Sequence, residues 1–249
     1  MIKVTTCFAL LTLLCAQVPS FANEPVRICY EQWSPFAETR DEKPHGIQIA
    51  IMQGAFDRVS IPVEFFEMPY VRCLPSVKTG EFDAILASSN ETDLLPMTIS
   101  VLRWELRIFV HEDYAGAEWT SLDEFAGKQA GVVAGYDYGH EIEDRFIEWD
   151  VQETPDAVFN LRKLAKQRID FTIADSSWAQ TVIRKEDLPI KALAPTIMSV
   201  AQYSYFHPKH ADVITKIEAA LLEMKEDGGI DEIYRHHTGS AMPHQWLAQ

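Results

Sequence analysis

Two stretches of the chain, residues 81–90 (EFDAILASSN) and residues 168–177 (RIDFTIADSS), spell nearly the same pattern. Each runs from Asp through an apolar segment to Ala, a polar residue and Ser. The correspondence extends upstream without gaps: Leu74, Val77, Phe82, Asp83 and Ala87 match Leu161, Leu164, Ile169, Asp170 and Ala174 at one constant offset. In both copies apolar residues at helical spacing lead through a short polar turn into a run apolar on both faces, which suits a buried parallel strand. A chain that writes this unit twice is expected to build the same half-sheet twice, in two lobes.

The flanking segments support that reading. VRICY at 26–30 reads as a strand, residues 47–59 carry Ile47, Ile51, Met52, Phe56 and Val59 at helical spacing, and 63–66 reads as a second strand. Pro69 opens a helix that Gly80 stops, and the strand 82–87 completes a β-α-β-α-β series, the signature of an open parallel sheet flanked by helices. A second series follows: a strand at 129–133, a helix after GYDYGHE through Ile142, Phe146 and Ile147, a helix opened by Pro155, and the strand 171–174. Near the end, AQYSYF (201–206) is strand-like, 211–226 is a long amphipathic helix and 230–236 a short one. The fold class is therefore α/β, with two lobes joined by crossings near 108–114 and 194–204, where a hinge is expected.

The chain has 249 residues, enough for two small lobes with cores of their own, and a formal charge of −15 that disfavours nucleic acid and anionic lipid as partners. Residues 1–22 combine one Lys, an apolar run at 7–18 too short to span a bilayer, and small residues before a cut after Ala22, which together read as a secretory signal peptide. The exported chain keeps two cysteines, Cys29 and Cys73, which are expected to pair in an oxidising compartment.

Ligands of open α/β sheets bind beyond the carboxyl ends of the strands. That rule selects Glu31, Gln32 and Trp33 after the first strand, 68–72 after the second, and Ser88, Ser89 and Asn90 after the third; in the second lobe it selects 135–139 and Asp175. The GYDYG loop, opening a helix, suits either an anion site or an ordinary capped helix with Asp137 as its cap. Asp175 ends a buried strand, where a lone carboxylate needs donors or a cation; it either holds a ligand ammonium or caps the next helix. Arg72 suits a carboxylate ligand or a surface ion pair. Trp33, Phe36, Tyr70, Tyr136 and Tyr138 are candidate aromatic walls. Nothing resembles a hydrolase or metalloprotease motif, His236 and His237 do not share a helix face, and neither metal nor cofactor is expected.

Four stretches carry a resemblance that covers nearly the whole exported chain: WSPFAETRDEKPHGIQIAIMQGAF, YVRCLPSVKTGEFDAILASSNET, the pair KQAGVVAGYDYGHEIE and LAKQRIDFTIADSSWAQ, and FHPKHADVITKIEAALLEMKEDGGIDEIYRHHTG. In order and spacing they resemble the type II periplasmic binding proteins, specifically the family-three solute-binding proteins of polar amino acid ABC transporters, in a divergent branch. The resemblance implies a discontinuous first lobe (23–111 with 200–249), a second lobe (112–199), a ligand trapped by closure, and a monomer that delivers it to a membrane permease in the periplasm. It carries over ligand contacts at Ser88 to Asn90 and an ammonium-binding carboxylate at Asp175. The basic residue that the family places soon after the third strand has no counterpart in NETDLLPMTIS. Similar scaffolds serve as cyclohexadienyl-acid dehydratases and as sensors for membrane kinases, so an enzyme using Glu31, Glu91 or Asp137, or a sensory subunit, stands beside the transport reading.

Overall fold

The computed structural model describes residues 24–89, 91–239 and 242; the expected leader at 1–22 and Asn90 lie outside them. In chain order the elements are β1 (Val26–Tyr30), the hairpin β2 (Glu38–Arg40) and β3 (Lys43–His45), α1 (Ile47–Arg58), β4 (Val63–Glu67), α2 (Tyr70–Lys78), β5 (Ala84–Ser88) and the short β6 (Leu95–Pro96). A long β7 (Leu102–His111) leads to β8 (Gln129–Val133), α3 (His140–Glu143), β9 (Asp150–Thr154), α4 (Ala157–Leu164), β10 (Phe171–Asp175), α5 (Ser176–Glu186) and β11 (Ile190–Ala192). β12 (Met198–Phe206), α6 (Ala211–Glu226) and α7 (Gly229–Thr238) follow.

The repeat in the sequence is a repeat in space. β4, β1 and β5 pair in parallel with β1 in the middle, and β9, β8 and β10 pair in parallel with β8 in the middle. The two repeated aspartates do the same work. Asp83 accepts the Arg27 N–H at 2.8 Å while its own N–H bonds the Arg27 carbonyl at 2.9 Å, fixing β5 against β1. Asp170 accepts the Gln129 N–H at 2.7 Å and bonds its carbonyl at 2.9 Å, fixing β10 against β8. Asp83 also meets Lys209 and His210, each at 2.7 Å, which ties the start of α6 to the same strand end.

The two half-sheets join through β7 and β12. The first part of β12, Met198–Gln202, runs antiparallel to Leu102–Leu106 of β7, and its last part, Tyr203–Phe206, pairs antiparallel with β5 with a register shift between Tyr203 and Tyr205. Leu102 packs in the core that holds Ile28, Phe56 and Phe206, whereas Leu106, Ile108 and Val110 pack in the core around Phe125 and Phe171. The first crossing therefore lies at 102–106, earlier than the 108–114 expected from the pattern, and Leu106, Ile108, Phe109 and Val110, expected in the first lobe, pack with residues of the second. β7 runs as one unbroken strand of 10 residues, so the pattern alone does not reveal where it changes lobes.

α1 packs on α6 and α7 over one half-sheet, and α4 and α5 pack on the other. Cys29 and Cys73 are paired, with Cα atoms 5.7 Å apart, tying β1 to α2. The helix expected to run through Phe146 and Ile147 stops at Glu143; Ile147 is 92% exposed, and a helix continued to that point would have no core for it to enter. No helix among the described residues is long and apolar enough to cross a membrane.

Candidate functional site

The carboxyl ends of β1, β4 and β5 face those of β8 and β10 across a cavity of about 850 Å³. Trp33, Tyr70, Ser88, Ser89, Tyr136, Asp137, Tyr138 and Asp175 line it. Ser88 and Asp175 are equivalent positions of the repeat, each the last residue of its buried strand, so the same local grammar delivers one polar side chain from each lobe.

Trp33 is placed by a tight loop, in which its N–H and carbonyl bond the carbonyl and N–H of Ala37 at 2.6 and 2.9 Å. That loop sits on the start of α1, where the Gln48 N–H bonds the Phe36 carbonyl at 2.9 Å. Gly46 makes the approach possible. Its φ is +123°, and a Cβ there would meet the Phe36 carbonyl oxygen at 2.4 Å. The ring of Trp33 packs against hydrophobic residues of both lobes.

Two expected site residues, the wall residue Phe36 and the basic residue Arg72, do not line the cavity. Phe36 is buried against Trp33 with ring centroids 5.1 Å apart and does not line the cavity. Arg72 is exposed on α2, because Cys73 and Val77 are the residues that this helix turns inward; it is not a cavity residue. Asn90 is outside the described residues.

The GYDYG loop differs from both of its expected forms. The cap position of α3 is Gly139, with no side-chain cap, and Asp137 instead accepts the Gly139 N–H at 2.9 Å. Glu143 accepts the Tyr138 N–H at 3.0 Å. Two carboxylates thus occupy N–H groups that an anion would need, and α3 is a single turn. The Tyr138 hydroxyl accepts the Val133 N–H at 2.9 Å and holds the loop on β8.

This loop reaches the other lobe. The Tyr136 hydroxyl donates to Glu31 Oε2, and Glu31 Oε1 accepts the Tyr70 N–H at 3.3 Å. The ring of Tyr136 lies 5.6 Å from that of Tyr70 and 5.8 Å from that of Trp104, which stands on the crossing strand. Gly135 approaches so closely that a Cβ would meet Val71 Cγ1 at 2.8 Å. Burial pushes the Glu31 carboxyl up, opposed by its bonds from Tyr136 and Tyr70. Burial and the neighbouring Glu31 charge push the Tyr136 hydroxyl up as well, so it remains a donor.

Asp175 caps α5, accepting the Trp178 N–H at 2.8 Å, and also accepts the Glu105 N–H of β7 at 3.1 Å. It is 5% exposed, and burial pushes its carboxyl up to about 6 against those bonds and the nearby Trp33 indole. The Trp33 N–H itself is buried outside hydrogen-bond geometry with any partner. In the first lobe the Tyr70 and Ser88 hydroxyls lie 2.8 Å apart, and each lies 3.0 Å from the same oxygen of Glu91, so their two hydrogens are shared among these three contacts. Lys78 pairs with Glu91 at 3.0 Å.

Sequence reasoning passed over several cavity residues. Gln48 lies on the buried face of α1, Trp104 and Gln202 lie on the crossing strands, and Trp178 is in the first turn of α5. Trp178 follows directly from Asp175 at a strand-to-helix junction, which was a usable signal. Gln48 was legible only as a polar residue inside an apolar helix run. Among the described residues no group of His, Cys, Asp and Glu side chains is placed to hold a metal ion.

Neither the scan of protein-family models nor the search of curated protein sequences finds a match. Solved structures do match in fold. A histidine kinase sensor domain described as similar to periplasmic binding proteins superposes with a TM-score of 0.80 at 16% identity, covering 89% of this chain and 99% of that one. A structure concerned with glutathione import through GshT and the cystine ABC importer TcyBC of Streptococcus mutans gives 0.77 at 16% identity, covering 90% and 100%. An ancestral arginine-binding protein bound to glutamine gives 0.73 at 21% identity, covering 87% and 98%. The chain thus has the two-lobed α/β fold of periplasmic-binding-protein-like structures.

Proposed function

We propose that this protein is a solute-binding receptor that captures a small molecule between its lobes and presents the closed form to a membrane partner. One observation carries the reading. The cavity is built by strand ends of both half-sheets, and Tyr136 already reaches across it to Glu31. A ligand that adds contacts to both walls favours the closed arrangement by its differential affinity for it. The paired crossings of β7 and β12 are the natural hinge, since bending there disturbs neither core.

The site residues of this reading are Trp33, Tyr70, Ser88, Ser89, Tyr136, Asp137, Tyr138 and Asp175, joined by Glu31. The partner is the permease of an ABC importer, the compartment is the periplasm, reached by way of the leader at 1–22, and the protein acts as a monomer. The fold shared with a kinase sensor domain supports a second reading, in which the same closure signals to a membrane kinase.

A thermal-shift screen of amino acids, amines, carboxylates and neutral solutes tests the proposal. A hit that binds one-to-one, compacts the protein in small-angle scattering and is recovered unchanged supports the receptor. A hit that is consumed identifies an enzyme instead.

A further inference from the structure

Resting on the receptor reading, we infer that the cleft takes a small organic cation without a carboxylate, an amine or guanidinium compound. The first ground is two cavity carboxylates, Asp175 buried and Glu31 half-buried, with no cation of their own. Glu31 is held by a tyrosine hydroxyl and a backbone N–H, and Asp175 by two backbone N–H groups. Neither takes part in an ion pair among the described residues. Carboxylates withdrawn from water without a counter-charge are costly, and desolvation raises both. A ligand cation between them would supply the missing charge from within the cavity.

The second ground is that nothing described offers a ligand carboxylate a free cation at depth. Of the basic residues on the cavity wall, Arg40 is paired with Glu38 at 2.6 Å and Arg162 with Glu186 through two bonds of 2.7 and 3.0 Å. Lys185 is exposed at the rim. Arg72 is exposed on α2 and does not line the cavity.

The third ground is the use made of the hydroxyl donors. Tyr70 and Ser88 spend their two hydrogens within the cluster they form with Glu91, which is itself paired with Lys78, so they present lone pairs to the cavity. An incoming carboxylate would find no free hydroxyl donor at that point, and an ammonium would meet acceptors.

Two orphaned polar atoms complete the complement. Gln48 is 2% exposed and lines the cavity, and its Oε1 has no partner, while its Nε2 bonds the Leu86 carbonyl at 2.6 Å. Gln202 is 7% exposed, lines the same wall, and leaves Nε2 unpartnered. Both are uncharged and suit the polar but neutral part of a ligand. The rings of Trp33, Tyr70, Trp104, Tyr136 and Trp178 supply apolar and cation–π surface for its stem.

Matched pairs isolate the carboxylate: arginine against agmatine, lysine against cadaverine, ornithine against putrescine, titrated calorimetrically into the purified protein, with succinate and glucose as anionic and neutral controls. The expected result is that the amine of at least one pair binds ten-fold or more tightly than its amino acid, and that Glu31→Gln and Asp175→Asn each weaken it by at least ten-fold. The ligand-free melting temperature of each variant confirms that it folds, and the wild-type pair comparison stands without them. Amino acids binding as tightly as their amines, or binding confined to succinate or glucose, would overturn the cation class and leave the receptor standing. Silence from every compound would overturn the cation class, and the wider screen proposed above would then decide the receptor. Consumption of a bound amine would overturn the receptor and keep the cation class.

Discussion

The hydroxyl of Tyr136 donates to the carboxylate of Glu31, and this bond joins the loop after β8 in one lobe to the end of β1 in the other. A hydrogen bond to a charged group is worth about 1.5–3 kcal/mol. Tyr136→Phe keeps the ring contacts with Tyr70 and Trp104 and removes only that bond. The ligand-free variant is expected to shift toward an open form by roughly ten-fold or more. Small-angle scattering reads the change as a larger radius of gyration; an unchanged radius would mean that the bond does not hold the lobes together.

Gly135 is the second contact across the cleft. Its φ is +79°, and a Cβ there would strike Val71. Gly135→Ala is expected to open the cleft and weaken ligand binding. Val71→Ala in the same chain relieves the clash but leaves the unfavourable backbone, so rescue should be partial. Full rescue would show that the steric contact alone matters.

Asp175 gives the protein a pH signature. Its carboxyl is raised from 3.8 to about 6 by burial. A group whose folded pKa lies above its unfolded one stabilises the fold below both values, and that contribution is lost as pH rises through the folded value. Between pH 7 and pH 4 Asp175 should therefore add stability, about 2 kcal/mol. Asp83, held low mainly by the Arg27 N–H, Lys209 and His210 against its burial, works in the opposite sense. The difference between wild type and Asp175→Asn in urea unfolding isolates the effect. It should grow toward neutral pH, where the wild type carries a buried charge and the variant does not; a difference independent of pH would contradict the shift.

The repeated aspartates should be unequal in cost. Asp170→Ala removes one clamp on a strand neighbour, about 1–2 kcal/mol, and Asp83→Ala removes the same clamp together with Lys209 and His210, about 2–4 kcal/mol. Chemical unfolding measures both. Equal losses would mean that the contacts to α6 contribute nothing. The disulfide closes a separation of 44 residues, for which chain entropy gives about 4 kcal/mol; the double variant Cys29→Ala, Cys73→Ala should lose a comparable amount.

Much of this architecture was legible because helix and strand periods are local. The doubled unit around Asp83 and Asp170, the strand ends that deliver Ser88 and Asp175, and the pairing of Cys29 with Cys73 all follow from residues close together in sequence or from simple counting. What was illegible depends on rotation and on distant partners. Arg72 is adjacent to buried Cys73, and one residue of helix turns it out to solvent. Asp137 was expected to cap a helix, and the chain uses Gly139 there instead because Asp137 closes the turn before it. Glu31 stood at the right strand end, yet its importance comes from Tyr136, which no sequence pattern connects to it. The crossing at 102–106 was hidden because β7 runs unbroken from one lobe into the other.

Three tryptophans, Trp33, Trp104 and Trp178, line the cavity, and Trp33 packs against both lobes. Titrating the best hit of the solute screen while following tryptophan emission therefore tests capture between the lobes most directly. The account predicts a saturable one-to-one change that disappears in Trp33→Phe, Trp104→Phe, Trp178→Phe while calorimetric binding persists, weakened. A ligand that binds one-to-one by calorimetry and leaves the emission of the wild-type protein unchanged would contradict it.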